Sequence, residues 1–164
     1  MFSIGDMVVH PMHGAGVIDA IVREHAGGDT QDYYVFKMPI GGLLLKIPTA
    51  NSAVIGIRAV VGRSEAERVI RSIPALDARM TSNWNQRYRE NMLRLKSGDL
   101  YEVARVIKGL MHRDSEHGLS TGERKMLHNA KQILISEIVL TENGDYEQVE
   151  QRINRAVAQP DPEN

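Results

Sequence analysis

The sequence predicts an α+β protein: a small β-barrel first, then an all-helical part of about five helices. Three observations predict it. Short runs rich in branched and aromatic residues crowd the first sixty positions. Gly14, Gly16, Gly27-Gly28, Pro39, Gly41-Gly42 and Pro48 punctuate those runs. Past Gly62, apolar residues recur every three or four positions, as on amphipathic helices.

The β elements come in order. "MVV", "GVIDAIV", "YYVFKM" and "LLLKI" read as four strands, and "IGI" at 55–57 as a short fifth. "AGGDTQD" reads as a hairpin connection. Four or five short strands in so short a stretch suggest a barrel of the SH3 or Tudor type.

The helical part is expected near 64–73, 83–96, 99–114, 120–141 and 146–157. Ser64 to Glu67, Asp99-x-x-Glu102 and Ser120-x-x-Glu123 fit capping boxes. Val103, Val106, Ile107, Leu110 and Met111 share one helical face, and Met126, Leu127, Ile133, Leu134 and Ile138 another. Gly98 and Gly118 stand where helices should end. The expected organisation is residues 1–62, residues 63–158, and a disordered tail over 159–164.

Composition narrows the function. With 164 residues and no cysteine, disulfides, cysteine–zinc sites and thiol catalysis are excluded. No apolar run is long enough for a membrane span, and "MFSIGDMVVHP" carries no secretory signal, so a cytoplasmic chain is expected. The net charge of −1 hides an asymmetry: residues 63–132 carry fourteen Lys/Arg against nine Asp/Glu, and residues 133–164 two against seven. A basic middle can present an anion-binding face, although a solvated helical surface looks the same.

Catalysis finds no support. His10 and His13 in "VVHPMHGAG" form an H-x-x-H pair, but Pro11 breaks any helix there and no nearby acid completes a metal set. "HGAG" lacks the Lys-Ser/Thr of a phosphate loop and fits a turn instead. No nucleophile motif surrounds a serine. No cofactor, metal or small-molecule substrate is expected.

The lone tryptophan poses the sharpest question. Trp84 lies at a helix start in "SNWNQRYREN", beside Gln86, Arg87 and Arg89. It is either core or an exposed ring acting on a partner. Three separated motifs appear in order: "VVHPMHGAG", "NWNQRY" and "GLSTGERKML". With them, residues 1–138 resemble the CarD/CdnL family of bacterial transcription regulators.

The resemblance implies a Tudor-like domain that binds the β-subunit of RNA polymerase, and a helical domain that lies on promoter DNA. Trp84 would wedge into the minor groove at the upstream edge of the melted bubble and hinder its collapse. Tyr88, one turn on, would brace the ring. Arg87, Arg89, Arg124, Lys125 and Lys131 would grip phosphates without reading bases. For polymerase, the resemblance points to the strand "LLLKIP", with Leu44, Lys46, Ile47 and Pro48, and to Arg23 at the end of the second strand. Whether Arg23 or Glu24 faces the polymerase stays open. Lys46 stands where many relatives carry Arg, and Lys lacks the planar fork for bidentate pairing. The implied place is the cytoplasm, at the nucleoid through polymerase. The alternative is an adaptor of the same fold that binds only protein, with Trp84 buried.

Overall fold

The computed structural model describes residues 1–39 and 41–162, without the side chain of Ala26. Five antiparallel strands form one sheet: β1 (Met7–His10), β2 (Gly14–Ala26), β3 (Asp29–Lys37), β4 (Leu44–Pro48) and β5 (Arg58–Ala59), in the order β4-β3-β2-β1-β5. Gly27 and Gly28, at φ +59° and +89°, make the β2–β3 connection. Two consecutive positive φ angles are what a tight hairpin turn of the twist-matched kind requires. A bulge between Ile18 and Ala20 bends β2. Val8, Ile18, Tyr34, Phe36, Ile47 and Ile57 close the core of the sheet.

The fifth strand is not where the sequence suggested. Ile55 ends a short helix, α1 (Ser52–Ile55), and Gly56 at φ +94° reverses the chain after it. Ile57 then turns inward, and pairing with β1 falls on Arg58–Ala59. "IGI" therefore caps a helical turn instead of forming a strand, because its glycine takes the left-handed conformation.

Five longer helices follow: α2 (Arg63–Ser72), α3 (Trp84–Lys96), α4 (Leu100–His117), α5 (Thr121–Glu142) and α6 (Tyr146–Ala158). Both apolar stripes pack inward; Met111 and Leu127 are half-buried at their edges. Gly98 and Gly118 follow α3 and α4 with φ +76° and +74°. None of the three expected capping boxes closes its reciprocal bond. Ser64 lies inside α2, whose cap is Gly62 with no side-chain bond. Glu123 does not close the box on the cap's backbone amide: its carboxylate accepts from Arg87 of α3 and, at 3.4 Å, from the Ser120 hydroxyl, while Ser120 Oγ caps the Glu123 amide at 3.2 Å. Asp99 caps Tyr101 N at 2.8 Å, while Glu102 pairs with Arg105 and Arg94. Buried Lys108 donates to the carbonyls of Ile73, Pro74 and Leu76, closing the end of the turn after α2. Of the expected tail, Glu163 and Asn164 lie outside the described residues.

The helix α5 holds the molecule together. Ile133 to Ile138 are all buried, so this stretch is covered all round and not only on one stripe. The bundle packs on one side and the turn between β1 and β2 on the other. No described helix is long and apolar enough to cross a membrane.

Candidate nucleic-acid and protein interfaces

Trp84 opens α3. Asn83 caps that helix by accepting from Gln86 N at 2.9 Å, which places the ring at the mouth of the helix. The residue is 42% exposed. It is nonetheless held at two points. Its Nε1 donates to Ser120 Oγ at 3.1 Å, and its plane stacks on Tyr88 with centroids 5.1 Å apart and 19° between planes. Gly122 in the first turn of α5 lies beside the pair: a Cβ there would meet both rings at 3.7 Å, an ordinary contact distance.

Behind the ring lies a buried ion pair. Arg87 is only 2% exposed. Its Nε and Nη2 donate to Glu123 at 2.8 and 3.2 Å, and its Nη1 to the carbonyls of Thr81 and Ser82 at 3.1 Å each. Phosphate contact by Arg87 is therefore corrected. The guanidinium is enclosed and its donors are engaged, so it cannot reach a ligand outside. The Arg87 guanidinium holds the Glu123 carboxyl below its usual range, against the opposing effect of burial. The chain of bonds runs from the segment before α3, through Arg87 and Glu123, to Ser120 and the indole.

The other expected cations divide. Arg89, Arg124 and Lys125 are exposed, and their side chains make no hydrogen bond or ion pair among the described residues. Lys131 is already engaged: its ammonium bonds Asn154 at 3.1 Å and lies 3.7 Å from Glu150, joining α5 to α6. A cation so engaged has part of its charge already matched by its own chain and is less available to a phosphate than its exposed neighbours.

At the other end of the molecule, β4 is an edge strand, paired only with β3. Its outer backbone groups can accept another strand. Side chains alternate along it. Leu44 is 56% exposed, Lys46 exposed and Pro48 half-buried on one face. Ile47 points the other way, is 8% exposed and belongs to the sheet core, so a side-chain contact by Ile47 is corrected. Lys46 pairs with Glu24. Arg23 pairs with Asp32 across the β2–β3 ladder at 3.0 Å, which raises its already high pKa through that hydrogen bond. Arg23 and Glu24 thus point to opposite faces, and Glu24 is the one that shares a face with Lys46.

The His10 and His13 rings lie with centroids 4.5 Å apart, tilted at 56°, and His10 Nδ1 accepts from Met12 N at 3.0 Å. Burial, and then neighbouring His13, lower the His10 pKa to about 4. No group of three or more His, Asp or Glu able to hold a metal occurs among the described residues.

The comparisons with known proteins fit this two-part layout. The family model described as "CarD-like/TRCF RID domain" matches residues 2–61, and the one described as "CarD, C-terminal domain" matches residues 68–154. The chain belongs to the CarD/CdnL family. A relative from Bacillus subtilis (strain 168), named "Putative transcription factor YdeB", is 37% identical over 138 residues, covering 84% of this chain and 90% of its own. In this member of the CarD family, β1–β5 fall within the first match and α3–α5 within the second.

Ser120 and Glu123 are the residues that sequence reasoning did not assign to a site, and Glu24 is the one it left open against Arg23. Ser120 and Glu123 were legible only as a helix cap. Strand alternation was the available signal for Ile47, since it puts Lys46 and Ile47 on opposite faces.

Proposed function

We propose that this CarD-family protein is a transcription regulator that binds the β-subunit of RNA polymerase and stabilises the open promoter complex. The sheet, residues 1–62, docks through the β4 edge. The helical part, residues 63–158, lies on promoter DNA without sequence preference. Trp84 enters the minor groove at the upstream edge of the bubble. It acts as a wedge that favours unstacked, melted DNA.

One observation carries this reading: Trp84 is 42% exposed while its ring is fixed by Ser120 and Tyr88. A ring buried for packing would not be left open, and a ring exposed by chance would not be pinned at both its nitrogen and its face. Holding the indole in advance removes rotamer freedom before DNA arrives, so less of its binding free energy is lost to ordering. Arg89, Arg124 and Lys125 supply unpaired cations for phosphates. At the β4 edge, backbone pairing would give affinity and Leu44, Lys46 and Pro48 the side-chain contacts on one face, with Arg23 on the opposite face of the sheet.

The test is the lifetime of promoter complexes formed by purified polymerase with a melted-bubble reporter. Wild-type protein should lengthen it. Trp84→Ala should remove most of the gain while still co-purifying with the β-subunit. Equal lifetimes with wild type and a folded Trp84→Ala would end the wedge reading.

A further inference from the structure

Two neighbouring residues of α5 receive contacts from three separate places. Glu137 is 0% exposed. Its carboxylate accepts from Arg58 Nη1 and Nη2 at 2.7 and 2.9 Å, and from Val61 N at 2.8 Å. Arg58 lies on β5 and Val61 on the link to α2. Arg58 Nε donates onward to the Gly98 carbonyl between α3 and α4 at 3.2 Å. One residue earlier, Ser136 Oγ accepts from Ala15 N at 2.9 Å and donates to Ile133 O at 3.1 Å. Gly14, before Ala15, sits at φ +94°, and a Cβ on it would come within 2.5 Å of Ser136 Oγ and 3.2 Å of Ile133 Cα. The "HGAG" turn, which bears no phosphate-loop chemistry, is thus pressed against the α5 backbone.

None of these contacts is needed by a tether. Two parts that only have to stay near each other are joined by a polar, flexible segment and share a modest interface. Here the link itself is bonded into the helix. An apolar interface tolerates sliding, whereas a bidentate Arg–carboxylate pair and a serine aimed at a single backbone amide fix direction as well as distance.

We propose that Arg58, Ser136 and Glu137 are positioning residues: they lock the sheet to the helical bundle as one rigid arm, so that Trp84 is presented at a fixed distance and angle from the β4 edge. This rests on the function proposed above. Once polymerase holds β4, the rigid arm puts the indole at one place on the duplex. A loose arm would spread it over many places and lower its effective concentration there.

The chain has no cysteine among the described residues, so single cysteines can be placed at exposed Ala50 and Glu147 for spin labels. Distances between the labels are measured in the full chain, alongside polymerase co-purification and open-complex lifetime. Wild type should give one narrow distance distribution. Arg58→Ala, and to a lesser degree Ser136→Ala, should broaden it at unchanged helical content. Co-purification should persist while the lifetime gain falls by about tenfold in Arg58→Ala, as expected when a second contact is no longer held in register. Arg58→Lys, which keeps the charge and loses the fork, should fall between. A broad distribution in wild type, or a narrow one in both folded variants, overturns the lock. A broadened variant with a full lifetime gain overturns the use assigned to it. A wild-type chain that never lengthens open complexes removes the proposed function instead, while the distance measurement still decides the lock.

Discussion

Trp84 and Lys46 are both exposed, but what stands behind them differs. The indole rests on a stacked tyrosine, a helix cap and a buried Arg87–Glu123 pair. Lys46 rests on one surface partner, Glu24, and its neighbour Arg23 on another, Asp32. The helical end is preorganised by enclosed polar bonds, and the strand end offers a backbone edge with mobile charges around it. Buried charges are costly to strand and therefore rigid, whereas surface pairs are worth little and exchange readily. A wedge has to arrive in one orientation; an edge strand gets its geometry from the ladder it joins. The contrast predicts that replacements at the helical end cost stability and function together, and those at the strand end cost binding alone.

The strongest way to break that contrast is Glu123→Ala. It leaves the Arg87 guanidinium buried without its carboxylate, a loss of about 3–5 kcal/mol. Denaturant unfolding of wild type and variant reads it, and a loss no larger than that of a surface pair would show that the pair is not buried in solution. Next comes Trp84→Ala. Its cost should appear in the open–closed balance of the promoter complex, about 1–3 kcal/mol or roughly five- to hundredfold, with the fold retained. Collapse of the helical part instead would make Trp84 a packing residue.

Lys46→Glu should weaken binding to the β-subunit by about 1–2 kcal/mol, with unfolding stability within about 0.5 kcal/mol of wild type. Pull-down at two salt concentrations checks it, and unchanged capture at both removes Lys46 from the interface. Ser120→Ala sharpens the comparison, since it removes the α5 cap and the indole's partner together. Stability should drop by about 1 kcal/mol, and acrylamide should quench Trp84 fluorescence more readily.

The smallest effect concerns pH. The His10 pKa lies near 4 in the folded chain, below its ordinary value. Between about 6.5 and 4 the unfolded chain therefore binds the proton more tightly, and stability falls as pH falls through that window. The lowered Glu123 carboxyl stabilises the fold above its ordinary range, and that contribution is lost at still lower pH. Thermal midpoints should thus decline from pH 7 to pH 4. His10→Asn should flatten the upper part of the decline, and an unchanged slope would assign it to other groups.

Much of the architecture was legible in the chain. Apolar spacing located all five longer helices with ends within about three residues, and four strands with their glycine turns. It misplaced the fifth strand because "IGI" has a strand's composition but a glycine at φ +94°. It misplaced the Ser64 cap because periodicity fixes which face is buried, not which residue begins the helix.

The chain alone determined what depends on neighbours in sequence: strand and helix periods, turns at glycine, the basic middle, and the resemblance to the family whose two domain models match residues 2–61 and 68–154. Only the tertiary structure decided which charges are available. Arg87 and Arg89 stand two apart, yet one is enclosed by a carboxylate from 36 residues away and the other is open. Arg58 and Glu137 are 79 residues apart and read as ordinary surface charges until β5 is set against α5. Local pattern cannot reveal such pairs, because whether a charge is buried depends on the elements that pack over it, and distant parts of the chain supply those.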